Sequence, residues 1–243
     1  MNIRLDLEFD GTEYCGWQIQ PYAPTVQGIL KDAIMAVTGE DVMPKGSSRT
    51  DSGVHARGYV CNFHSNTTIP LDKLPYALNT HLPEDIRCKS ASVAADDFIA
   101  SGSAKKKTYC YTIDNSTFGD VFKNRFAWHY KYPLNVESMK EASKHFIGTH
   151  DFIGFAASGF SVKTTVRTIY ELKVEKKDNI ITIEITGNGF LYNMVRIIAG
   201  TLVYVGSGKI DAHEIPQIIA SGDRTRAGIT APARGLCLKE VFY

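Results

Sequence analysis

The chain has 243 residues, 44% of them hydrophobic and 22% charged, with a formal net charge of +1. That composition excludes disorder and collagen-like structure and suits one large domain or two modest ones. The near-neutral total hides an asymmetry. Residues 1–98 hold 8 Lys/Arg against 13 Asp/Glu, a net of −5, and residues 99–243 hold 19 against 13, a net of +6, so a polyanionic partner is expected nearer the second half.

Ile3, Leu5, Leu7 and Phe9 alternate with Arg4, Asp6, Glu8 and Asp10, which predicts an opening strand with one buried face. The same charges interrupt any apolar stretch of signal-peptide type, so a cytoplasmic protein is expected. Thr25 is placed to cap a helix whose Val26, Ile29, Leu30, Ala33, Ile34 and Val37 form one stripe, with Gly39 as its stop. Tyr59, Cys61 and Phe63 predict a further strand, as do Lys107, Tyr109, Tyr111 and Ile113. Asn135 should cap a helix through Val136, Met139, Ser143 and Phe146, ended by Gly148. A hairpin follows, with arms 166–175 and 180–186 joined at Lys177, Asp178 and Asn179. Phe190 to Val205 reads as a buried helix, too short and too interrupted by glycine and Arg196 to span a membrane, and Gly235 to Phe242 as a closing strand. The elements predict an α+β fold of two similar α/β halves, residues 1–105 and 106–243. Their mainly antiparallel sheets are expected to join into one extended sheet, which avoids open edges.

Chemistry concentrates in a few places. If Arg49 to Asp51 ends a strand, Arg49 and Asp51 share a face, and the guanidinium keeps the carboxylate ionised as a nucleophile or base. The competing reading of Asp51-Ser52-Gly53 is ordinary turn chemistry. Arg196 is the sole charge between Phe190 and Gly208. A buried guanidinium left unpaired costs about 3 to 5 kcal/mol, so an anion, Asp51 or a phosphate, is expected to face it unless it snorkels to the helix edge. Lys105, Lys106 and Lys107 run into Tyr109 and Tyr111, a pattern that suits phosphates on the lysines and bases on the rings. The plainer alternative is a solvated strand edge above core tyrosines. His145, His150 and Asp151 have poor spacing for a metal, and the five cysteines are odd in number without a C-x-x-C, so no metal and no disulfide framework is expected. Phosphate-binding and nucleophile-elbow motifs are missing, so nucleotide hydrolysis and α/β-hydrolase chemistry lack support.

Taken together, Ser48-Arg49-Thr50-Asp51-Ser52-Gly53-Val54-His55-Ala56 resembles the signature of the tRNA pseudouridine synthase A family. Phe9 to Gln20, Thr25-Val26-Gln27, Asn79 to Ile86, Ser103 to Tyr111, Gly148 to Phe155, Gly189 to Gly200 and Thr230 to Leu236 resemble further family blocks in the family's order. The resemblance implies an isomerase that converts uridine to pseudouridine at about positions 38 to 40 of the tRNA anticodon stem-loop by extruding the base. It also implies no cofactor, a homodimer, helices on one side of the sheet and an RNA cleft on the other. Asp51 takes the family's catalytic aspartate position, Tyr109 the tyrosine stacking on the target base, Arg196 the arginine paired with the aspartate, and Arg49 the signature arginine associated with RNA contact. The pattern is departed from at three positions: Ser48 stands where glycine is usual, and Ile99 and Ser101 stand in Phe98-Ile99-Ala100-Ser101 where the family has Phe-His-Ala-Arg. Fewer cations near RNA imply altered tRNA selection with the chemistry kept, and Lys105 to Lys107 are candidates to compensate. The alternative is a catalytically idle RNA-binding or tRNA-folding paralogue, against which the joint presence of Asp51, Tyr109 and Arg196 speaks.

Overall fold

The computed structural model describes residues 1–159 and 162–243. In chain order these hold β1 (Asn2–Phe9), α1 (Val26–Thr38), β2 (Lys45–Gly46), β3 (His55–His64), α2 (Leu74–Asn79), β4 (Ile86–Ala94) and β5 (Lys106–Asp114). There follow β6 (Trp128–His129), α3 (Val136–Lys144), β7 (Gly148–Asp151), β8 (Val166–Lys177), β9 (Ile180–Gly187), α4 (Met194–Gly206), α5 (Ile215–Ser221) and β10 (Leu236–Phe242). The class is α+β, with strands paired mostly antiparallel. The chain divides into two compact units, Met1–Lys105 with Cys237–Tyr243, and Lys106–Leu236.

In the first unit β1 pairs antiparallel with both β3 and β4, β2 pairs with β3, and β10 runs parallel to β3. Ile3, Leu5, Leu7 and Phe9 turn inward to 4% exposure or less, as their alternation with charged residues requires. The α1 stripe of Val26, Leu30 and Ile34 is fully buried. Thr25 caps that helix by accepting from the Gly28 N–H, and Gly39 ends it in the left-handed region. β3 is buried on both faces from Tyr59 to Phe63, so alternation reveals its existence but not its depth.

The second unit is built on β5, β9, β8 and β7, each antiparallel to the next, with β6 parallel to β5. Ile181, Ile183 and Ile185 of β9 are fully buried. The hairpin arms run longer than predicted and turn at Asp178, whose φ of 54° suits its place in a tight turn. α3 stops at Lys144, before Phe146 and Gly148, although Phe146 is still fully buried. α4 is buried along nearly its whole length but begins at Met194, not Phe190, because Asn193 has a φ of 60° and breaks the helical path. Among the described residues no helix is long and apolar enough to cross a membrane. The five cysteines are free thiols, Cys61 and Cys88 buried and the others half-buried.

A strap, residues 228–231, lies against α4. A Cβ on Gly200 would stand 1.9 Å from the Ile229 carbonyl oxygen, so only a glycine lets the two backbones approach this closely. The Thr201 hydroxyl accepts from the Gly228 N–H at 2.9 Å and donates to the Ile197 carbonyl at 2.8 Å, which satisfies a fully buried side chain.

Candidate active site

Residues 47–54 form a loop between β2 and β3, so Arg49 to Asp51 does not end a strand as expected. The ladder stops because the chain tightens into a turn: the Val54 N–H donates to the Asp51 carbonyl at 3.1 Å, and Gly53 has a φ of 77°. Burial still alternates along it. Arg49 is exposed, Thr50 buried and Asp51 half-buried.

The loop is tied down by backbone and aromatic groups of the first unit. The Trp17 N–H donates to the Thr50 carbonyl at 3.2 Å, the Gly53 N–H to the Tyr14 carbonyl at 3.2 Å, and the Ser52 hydroxyl to the same carbonyl at 3.3 Å. The Tyr59 hydroxyl donates to the Ser48 carbonyl, and its fully buried ring stacks on Trp17 with centroids 4.3 Å apart. The Tyr14 hydroxyl in turn donates to Asp85 Oδ1 at 2.6 Å, so burial first and this carboxylate second push its pKa up. Gly16 completes the seat: its φ is 82°, and a Cβ there would stand 2.3 Å from the Thr50 carbonyl oxygen. These contacts fix the backbone from which the Asp51 side chain projects.

In the second unit Arg196 is half-buried, between the buried guanidinium and the one reaching the helix edge that the sequence left open. The later start of α4 explains this, since it puts Arg196 in the first turn rather than mid-helix. Arg196 Nε donates to the Ala231 carbonyl at 2.7 Å and Nη1 to Asn193 Oδ1 at 2.8 Å, while the Ala231 N–H returns to the Arg196 carbonyl at 3.1 Å. Tyr109 lies on β5 at 6% exposure with Phe190 edge-on to its ring at 5.3 Å. Tyr111, two residues on, donates to the Pro232 carbonyl at 2.7 Å. Burial raises the Tyr111 pKa against the opposing charges of Arg196 and Arg234.

The three lysines differ from one another. Lys105 is exposed and precedes β5, whereas Lys106 and Lys107 are half-buried on it, and desolvation lowers the Lys107 pKa. Arg49, Asp51 and Lys105 belong to the first unit, and Lys106, Lys107, Tyr109 and Arg196 to the second. Sequence reasoning did not single out Tyr14, Trp17 and Tyr59 as braces of the Asp51 loop, because buried aromatics look alike whichever segment they support. Nor did it single out Asn193, whose only signal, an Asn before an apolar stripe, reads as an ordinary helix cap.

The model of a family described as tRNA pseudouridine synthase matches residues 7–99 and 142–243. Asp51 and Arg196 fall inside the matched segments, while Tyr109 and Lys105 to Lys107 fall between them. A protein of Thermoanaerobacter sp. named tRNA pseudouridine synthase A is 54% identical over 242 residues, covering 100% of this chain and 99% of its own. Proteins of the same name from Acetivibrio thermocellus and Clostridium acetobutylicum are 52% and 46% identical, each covering 100% of this chain and 99% of the relative. A chain from the "Crystal Structure of a Cbf5-Nop10-Gar1 Complex" aligns with 97% of this chain, and 48% of its own, at TM-score 0.39 and 12% identity. On the sequence matches the chain belongs to the tRNA pseudouridine synthase A family, and it is an isomerase acting on uridine in tRNA.

Proposed function

We propose that this isomerase acts on uridines at about positions 38, 39 and 40 of the tRNA anticodon stem-loop, in the cytoplasm and as a homodimer, through an everted nucleotide. Asp51 is the reacting carboxylate, Tyr109 the ring beneath the target base, and Arg196 the guanidinium that keeps the carboxylate charged. Arg49, with Lys105 to Lys107, contacts the RNA strand. The single observation that carries the reading is the loop of residues 47–54, which holds a half-buried carboxylate at several points with an exposed arginine two residues away. Identity with relatives over the whole chain supports it.

A stacked uridine hides the bond between N1 and C1′, so the nucleotide must leave the stem, and an aromatic ring offsets part of the lost stacking. The N1–C1′ bond then breaks, the uracil turns within the site, and C5 bonds to C1′. The C5 proton leaves and N1 gains one, so atoms balance with no co-reactant. Asp51 serves as a nucleophile or as a base toward the sugar, and a charged carboxylate is needed either way.

Pseudouridine mapping of tRNA incubated with the protein tests this. We expect modification within the anticodon stem-loop, abolished by Asp51→Asn with tRNA affinity within about threefold, since an amide keeps the shape while losing the charge. Modification elsewhere in tRNA would overturn the site assignment. An active Asp51→Asn variant would overturn the role of Asp51.

A further inference from the structure

A left-handed residue stands immediately before α4. Asn193 has a φ of 60°, a conformation that L residues avoid because the Cβ crowds the backbone, although asparagine tolerates it better than most. An asparagine at this place in a helix ordinarily keeps an extended backbone and turns its side-chain oxygen onto the N–H of the second or third helical residue. Asn193 does neither. It makes no side-chain cap hydrogen bond, and its Oδ1 instead accepts from Arg196 Nη1 at 2.8 Å. Its backbone carbonyl still receives the Ile197 N–H at 2.9 Å, so the backbone bond of a helix start is kept while the side chain is diverted.

Two local stabilisations are thus forgone for one contact with one guanidinium. That guanidinium is gripped from the other side as well, where Nε donates to the Ala231 carbonyl at 2.7 Å. Neither contact uses Nη2. Bonds at Nε and Nη1 fix both the plane of the group and its rotation in that plane, which sets the direction in which Nη2 points.

We propose that Asn193 is a positioning residue for Arg196, its left-handed backbone placing Oδ1 where it sets the aim of the guanidinium. The inference rests on the reading of Arg196 given above and goes beyond it by naming the residue that determines how that charge is presented. Asn193 acts through Arg196 and touches no reacting atom.

The test measures kcat for pseudouridine formation in a tRNA transcript, the KM for that tRNA, and the thermal midpoint. Asn193→Gly keeps the left-handed backbone at no steric cost and deletes the acceptor. It is expected to lower kcat about 10- to 100-fold with KM within about twofold, the signature of misaimed catalytic geometry. Its thermal midpoint is expected not to fall. Asn193→Asp retains an acceptor on the same atom and tolerates the same backbone, and should restore kcat to within about threefold of the parent protein. Full kcat in Asn193→Gly, no recovery in Asn193→Asp, or a loss confined to KM or to the thermal midpoint would each overturn the proposal. Arg196→Ala in the same assay separates the two levels. If it is impaired while Asn193→Gly is not, only the role of Asn193 fails; if it keeps full kcat, the reading of Arg196 falls and this inference with it.

Discussion

Thr50 sits between the exposed Arg49 and the half-buried Asp51, and its hydroxyl oxygen is buried without a hydrogen-bond partner. An unsatisfied buried hydroxyl costs about 1 to 3 kcal/mol, whereas an apolar group of the same shape does not. Thr50→Val should therefore leave the thermal midpoint unchanged or raise stability by about 1 kcal/mol, as read by denaturant unfolding. A clear loss would mean that the hydroxyl bonds water in solution. At this scale the sequence was informative wherever a residue type is chemically unusual. Asp51 beside Arg49 and Arg196 in an apolar stripe both stood out for that reason. Tyr59 and Tyr14 did not, since a hydroxyl bonded to Ser48 or to Asp85 depends on chain segments far apart in the sequence.

Secondary structure was legible where a local signal marks both ends of an element. Thr25 and Gly39 bracket α1 through side-chain capping and a left-handed stop, so its limits were read almost to the residue. The start of α4 was misread because Phe190, Leu191 and Tyr192 continue the apolar pattern, and a left-handed Asn193 leaves no trace in periodicity. α2 and α5, of 6 and 7 residues, are too short to show a period, and β4 exposes most of its length from Lys89 onward, so none was predicted. The packing of α4 on its strap leads to an outcome contrary to helix propensity. Gly200→Ala would gain up to about 1 kcal/mol of propensity but drives a methyl into the Ile229 carbonyl, and forced overpacking costs about 1 to 3 kcal/mol. A net loss of stability is expected. Because Ala231, on the same strap, holds Arg196, kcat should fall along with it. Chemical denaturation and a turnover assay read the two effects separately; a more stable, fully active variant would show that the strap moves aside freely.

For the whole molecule, the most strongly perturbed buried thiols and phenols point to an alkaline limit. Burial pushes the Cys88 thiol up to about 12 and the Cys61 thiol well above its ordinary value of 9.0. Burial likewise raises the phenols of Tyr14, Tyr111 and Tyr243 above 10.0. Each group holds its proton longer folded than unfolded, so between the two pKa values the native state binds more protons and stability falls as pH rises. The stabilisation is complete below the unfolded values and is lost progressively above about pH 8.5 to 10. Thermal midpoints recorded from pH 7 to 11 should be level at first and then decline steeply, and the decline should soften in Tyr14→Phe. A midpoint that holds to pH 11 would contradict the burial of these groups. The α+β class and its mostly antiparallel pairing were legible from alternation and turn chemistry, whereas the parallel pairing of β10 with β3 joins positions so far apart that no local pattern encodes it.

That pairing has a consequence for biosynthesis. Cys237 and Leu238 bond alongside His55 and Ala56, just past the Asp51 loop, and the Tyr243 hydroxyl reaches the Ala100 carbonyl at 2.9 Å. The ribosome must first thread out residues 106–236, which at about 5 to 20 residues per second takes on the order of ten seconds. For that interval the nascent chain shows an unzipped flank beside the loop of residues 47–54, a foothold for chaperones and for wrong partners alike. The first half to emerge is thus the last to be sealed.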